Sequence, residues 1–264
     1  MQTSSQTTPQ ASPLTSRQPP PRATASRDSA TDGSTTSRRS WPARFARATV
    51  AASLVVGATL TVVSILLMPD FSGGLDESLK AIAAAGSTAT ISALGFTFSQ
   101  LFLAVGLVGL AHLLRDRVPV LAALGGTIAL LGAFGHAVYG GVNVVMLLMA
   151  QDLGALDTHV AVLERGEQGL AIPFMAAGLL GTVLGFILLG VAVWRAGLGP
   201  RWVGPAMIFW VVLEFVGSSL SEWAGYASGV LFAVIFGTLA VAVLRSSIAH
   251  WTTAAEAEAA STSV

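Results

Sequence analysis

The sequence contains no cysteine, a single lysine and two tyrosines, and only 11% of its 264 residues are charged. Without cysteine there can be no disulfide, no thiolate-bound metal and no cysteine nucleophile, and thiol usage gives no redox compartment. Sparse charge excludes an ordinary water-soluble domain, because 53% of the residues are hydrophobic and the mean hydropathy is +0.71. Familiar enzyme signatures are missing: there is no H-E-x-x-H, no G-x-S-x-G, no Walker loop and no dinucleotide fingerprint. The acids follow no calcium-loop spacing. A haem with two imidazole ligands needs them at matched depth, whereas His112 falls at one edge of the membrane and His136 toward the other. No cofactor, metal or nucleic-acid partner is expected.

What is present is long apolar segments. A bilayer core of about 30 Å takes roughly 20 residues of helix. Residues 48–68, 89–114, 118–150, 170–194, 203–221 and 225–245 meet or approach that length. The expectation is an all-α, polytopic transmembrane bundle of six spans over residues 47–248. A disordered Ser/Thr/Pro/Arg-rich tail precedes it (1–46) and a short tail follows it (249–264). The head has almost nothing to bury, so ordering it would cost backbone entropy without compensation. "SRRSW" at 37–41 is similar to a twin-arginine export signal, but the apolar run behind it is long enough to span, so it reads as a retained anchor. The third span is too long for a perpendicular crossing; it tilts, continues beyond the membrane or breaks near Gly140-Gly141.

Arginine sets the orientation. With the N-terminus inside, the inner flanks hold Arg38, Arg39, Arg44, Arg47, Arg115, Arg117, Arg195, Arg201 and Arg245, against Lys80 and Arg165 outside. Both termini are therefore expected in the cytoplasm. Arg outnumbers Lys 13 to 1 and Ala and Gly abound, an association with GC-rich bacterial genes that makes a bacterial plasma membrane the expected location. The outer loops, about 69–88 and 151–169, are acidic, and a short interfacial helix is expected from Leu75 onward. Trp41, Trp194, Trp202, Trp223 and Trp251 fall near the proposed boundaries, where amphipathic rings belong.

Polar residues inside the spans are the candidates for function. In "FWVVLEFVGSSL" (209–220), Glu214 lies about 16 Å from the inner end of its span, near the midplane. An ionised acid there costs about 2.5–3.5 kcal/mol or more, so it faces other helices or is protonated. Glu214, Gly217, Ser218 and Ser221 share one helical face, which is expected to look into the bundle. Gln100 on the second span lies at a depth that suits an interhelical hydrogen bond to Glu214. His136 follows small residues, Gly125, Ala129 and Gly132, and sits about 27 Å from the inner end; it is expected near the outer boundary as a satisfied structural imidazole, away from Glu214. Gly178, Gly181 and Gly185 form a face for close helix packing.

The layout, with "GHAVYGGVN" at 135–143 and "GLGPRWVGPAMI" at 197–208, resembles the small six-span integral membrane proteins of actinobacteria grouped as a DUF4386-like set. The resemblance covers about 48–245 and implies no substrate or catalytic residue. The leading expectation is a non-catalytic membrane component whose polar residues tie the bundle together, with the bilayer, another membrane protein or further copies of itself as partners. The alternative is a small-molecule or proton-coupled transporter with Glu214 as its protonatable site and Gln100 and the Ser218 stripe lining a path; His136 is a further candidate polar or proton site at its own depth. Residues 48–150 and 170–245 share no similarity that would mark an inverted repeat.

Overall fold

A computed structural model describes residues 41–252. The head through residue 40, with Arg38-Arg39, and the chain after residue 252 lie outside the described residues. The described chain is helical and contains no strand: α1 (Trp41–Leu66), α2 (Leu75–Ala85), α3 (Ser87–Leu114), α4 (Pro119–Met149), α5 (Leu156–Glu167), α6 (Ile172–Ala196), α7 (Val203–Val212), α8 (Ser218–Leu220) and α9 (Glu222–Arg245). A π-helical turn, Leu213–Gly217, joins α7 to α8. Six helical segments are long and apolar enough to cross a membrane: α1, α3, α4, α6, the run from α7 through α8, and most of α9. This is an all-α membrane protein. Helices are the form its backbone must take in hydrocarbon, where each N–H and C=O needs a partner within its own segment.

Several boundaries differ from the sequence reading. Residues 41–46, assigned to the tail, form the first turns of α1, and Ala43 is already buried. At the other end, Ile248–Trp251 forms a 3-10 turn on the bundle. Trp251 is only 8% exposed, stacks on His112 and donates from Nε1 to Ser246 Oγ (2.8 Å), so this indole is packing and no interface anchor. Trp41, Trp194, Trp202 and Trp223 remain exposed. The third span runs unbroken through Gly140-Gly141 for 31 residues, about 46 Å. Its last turns extend to a small apolar cluster with α2 and α5, in which Met146 and Ala150 meet Leu79, Ile82 and Leu163. The acidic segment 151–169, read as a loop, carries α5; the helix from Leu75 is present as expected.

Glycine sets how closely the spans approach. α4 and α6 form the most extensive pairing, with Gly132 against Gly181 and Thr182, Gly135 against Gly178, and Ala129 against Gly185. A Cβ on Gly132 would lie 2.5 Å from the Thr182 backbone nitrogen and 2.7 Å from the Gly181 carbonyl carbon. α1 meets α3 similarly through Gly57, Gly106 and Gly109. Apolar spans gain nothing by leaving lipid, so such contact, through dispersion, is what holds them together. The main core, including Leu54, Leu107, Leu189, Met207, Phe236 and Leu239, joins α1, α3, α6, α7 and α9.

The two ends of the bundle differ in charge. Arg44, Arg47, Arg115, Arg117, Arg195, Arg201 and Arg245 gather at one end, where Asp116 is the lone acid among the described residues. There Arg47 Nη1 donates to Ser246 O (2.9 Å), Arg117 Nη1 to Ala196 O (2.6 Å) and His112 Nε2 to His250 O (3.0 Å), tying helix ends and the 3-10 turn together. The other end carries α2 and α5. Lys80 donates to Asp76 (3.0 Å) and holds that carboxyl below its usual range, as the Ser72 backbone N–H does for Asp70.

Gly132→Val is expected to destabilise the bundle by about 1–3 kcal/mol, because the clash is with backbone that cannot rotate away. Gly141→Ala, whose Cβ would meet nothing within 4 Å, is expected to be neutral or stabilising by up to about 1 kcal/mol. Thermal unfolding in detergent compares the two.

Candidate functional site

The antiparallel hairpin formed by α7, the π turn, α8 and α9 reverses at Ser221, whose backbone is extended (φ −161°, ψ 133°). Glu214 and Ser228 lie seven residues on either side of that reversal, so they reach the same depth. Ser228 is fully buried, and its hydroxyl donates to Glu214 Oε2. Glu214 lies within the π turn, and its backbone carbonyl accepts from Ser218 Oγ. A π turn shifts the helical register by a residue and is frequent at functional sites.

Two cavities share Glu214, Thr61 and Phe96. The larger, a vestibule of about 290 Å³, lies on the side of the acidic end. α1 and the segment after it line it with Ser64, Met68 and Phe71, α3 with Ser92 and Phe96, and α4 with Tyr139 and Asn143. It shares Phe71, Tyr139 and Asn143 with a surface cleft of about 690 Å³ that also includes Glu167. The smaller cavity, a deep chamber of about 90 Å³, is lined by Gln100, His136, Thr182 and Trp210 besides the shared residues. Toward the arginine end it meets a plug of Phe186, Trp210, Phe232 and Phe236, with ring centroids 4.3 Å apart for Phe232–Phe236 and 4.8 Å for Trp210–Phe232.

The four residues singled out from sequence therefore converge, though not as expected. Gln100 and Glu214 line one chamber, but the bond between them is not formed: Gln100 Nε2 donates to Ser99 Oγ (3.0 Å), and Glu214 bonds Ser228. His136 lines the same chamber as Glu214 and does not sit at the outer boundary. The depth argument failed because α4 overshoots: its midpoint is Phe134, so a residue counted as shallow sits halfway along the helix. Nor is this imidazole satisfied. His136 Nδ1 and Trp210 Nε1 are buried without a protein partner, and Nδ1 lies close over Gly178. Ser218 lines the vestibule yet is exposed, as is Ser221, because the π turn and the extended residue break the 3.6-residue period that had placed them on one inward face.

Ser228, Thr182, Thr61 and Trp210 were missed by the sequence reading. Ser228 had a signal: its equal spacing with Glu214 about the "SEWAG" turn. Ser92, by contrast, is structural, since its hydroxyl bonds Ser64 O across α1 and α3 (2.7 Å).

Ser228→Ala removes the donor to a buried oxygen and is expected to cost about 1–3 kcal/mol, whereas Glu214→Gln keeps an acceptor there and is expected to cost less. Equilibrium unfolding in detergent ranks the two. No protein-family model matches the chain, and no curated protein or solved structure matches it either, so the site is read from its own geometry.

Proposed function

We propose that this membrane protein is a proton-linked carrier of a small solute and that Glu214 takes up and releases the proton. The observation that carries this reading is the place of Glu214 at the junction of the vestibule and the deep chamber. It is the sole ionisable group among the described residues of the hairpin's first arm, 203–220, and its one bonded partner is a hydroxyl. Ionisable side chains at this depth mark ion and substrate paths, since the cost of placing them in hydrocarbon is otherwise uncompensated. A purely structural component, the leading reading from sequence, needs helix-to-helix polar bonds such as Ser92 to Ser64 and no carboxyl between two cavities. Gln100 and His136 line the deep chamber on one side of Glu214, and Ser218 the vestibule on the other.

The same proposal places the protein in a bacterial plasma membrane with both termini in the cytoplasm and the vestibule toward the outside. The separation of seven arginines from the acidic end supports it, because short translocated segments retain few basic residues.

Infrared difference spectra of the purified protein between acid and alkaline media test the proton site. A protonated-carboxyl band that appears and disappears with pH is expected in the wild type and is expected to be lost in Glu214→Gln. A Glu214 locked in one state over the whole stable pH range overturns the reading. For the threading, alkaline phosphatase fused at Lys80 or Arg165 is expected to be active, and a green fluorescent reporter fused at Arg115, Arg195 or the C-terminus is expected to fluoresce; the reverse pattern inverts the orientation.

A further inference from the structure

The geometry points to a monovalent organic cation with an apolar body as the solute, exchanged against the proton of Glu214. This deepens the proton-carrier reading and rests on it. Among the described side chains, Glu214 is the sole carboxylate lining the vestibule and the chamber, and none of those lining either is a lysine or arginine. Among the described side chains, two other titratable groups line these cavities, His136 and Tyr139, both on α4; the polar side chains that α1, α3, α6 and α9 bring are neutral, Thr61, Ser64, Ser92, Gln100, Thr182 and Ser228. When Glu214 gives up its proton, a single hydroxyl bond does not compensate a carboxylate in so apolar a place. A cation does. An anion is repelled by that charge, and a neutral solute leaves it unbalanced.

The vestibule fits such a cation. Its walls are mainly apolar, with Ile65, Met68, Phe71, Ile82 and Leu147, and they include the rings of Phe96 and Tyr139, set edge to face with centroids 6.4 Å apart. Aromatic faces attract cations most where water is excluded. The entrance favours the same charge. Segments 69–88 and 151–169 hold seven carboxylates against two cations, Lys80, which pairs with Asp76, and Arg165, so the excess is negative. Fields of one sign over a low-dielectric cleft raise the local concentration of the opposite charge.

The exchange balances. The cation enters beside the protonated carboxyl, the O–H bond breaks, the proton leaves through the vestibule to water, and the carboxylate pairs with the cation. Net charge in the site is zero before and after. No other reactant is needed.

The test uses benzyltrimethylammonium and its uncharged carbon analogue neopentylbenzene, with phenylacetate as the anion, on full-length protein in nanodiscs of zwitterionic lipid. Calorimetry is expected to detect benzyltrimethylammonium binding with release of a proton to a weakly buffered indicator. Affinity is expected to fall about tenfold for each pH unit on the acid side of the Glu214 titration. Glu214→Gln is expected to weaken binding at least about tenfold and to abolish proton release. Equal or tighter binding of neopentylbenzene or phenylacetate overturns the inference, as does cation binding without proton release, which the wild type alone reveals if the variant does not fold. If Glu214 titrates in the infrared but the ammonium ion does not bind, the solute class is wrong and the proton carrier stands. If Glu214 does not titrate, both fall.

Discussion

The glycine seam between α4 and α6 is the constraint on which the site depends. Lipid offers apolar helices no reason to seek one another, so association requires surfaces that touch over a long contact. Gly132, Gly135, Gly178, Gly181 and Gly185 allow two backbones to come within the reach of a missing Cβ. That contact brings His136 and Thr182 to the wall of the deep chamber. The seam of α1 with α3, through Gly57, Gly106 and Gly109, places Thr61 and Gln100 on the same chamber. The hairpin of α7 to α9 then brings Glu214 and Ser228 to it.

The two ends of the bundle are built differently, although each carries a cavity: at the arginine end a pocket of about 440 Å³ lies among Asp116, Arg117, Pro200, Arg245 and His250. Guanidinium groups at the arginine end bond backbone carbonyls that the helix ends leave unpaired, and the buried Trp251 covers His112. Beneath them the rings of Phe186, Trp210, Phe232 and Phe236 and the side chains of Leu103 and Leu107 fill the centre. At the acidic end α2 and α5 pack through a few apolar side chains, the cleft lies among α2, α4 and α5, and the vestibule lies among α1, α3, α4 and the hairpin. For the carrier proposed above, a complete cycle requires the aromatic plug to open toward the arginine end while the vestibule narrows. The π turn interrupts the regular ladder of the fifth span at the depth of Glu214.

The sequence by itself determined that the chain is helical and how many times it crosses the membrane. Both follow from the length of apolar runs and the satisfaction of backbone groups, which need no knowledge of neighbours. Gly178, Gly181 and Gly185 were legible as a packing face for the same reason, since helical periodicity is local. Glu214 stood out because a carboxyl in such a run is costly wherever the neighbours lie.

Tertiary structure alone decided what Glu214 meets. Depth counted from one helix end assumes a straight crossing of fixed thickness; the overlong α4 breaks that assumption and brings His136 to the chamber. A face drawn with a period of 3.6 assumes an uninterrupted α-helix; the π turn breaks that one and leaves Ser218 exposed at the vestibule. The choice of Ser228 over Gln100 as the carboxyl's partner depended on which helices are adjacent, and adjacency is a property of packing that no single apolar segment encodes.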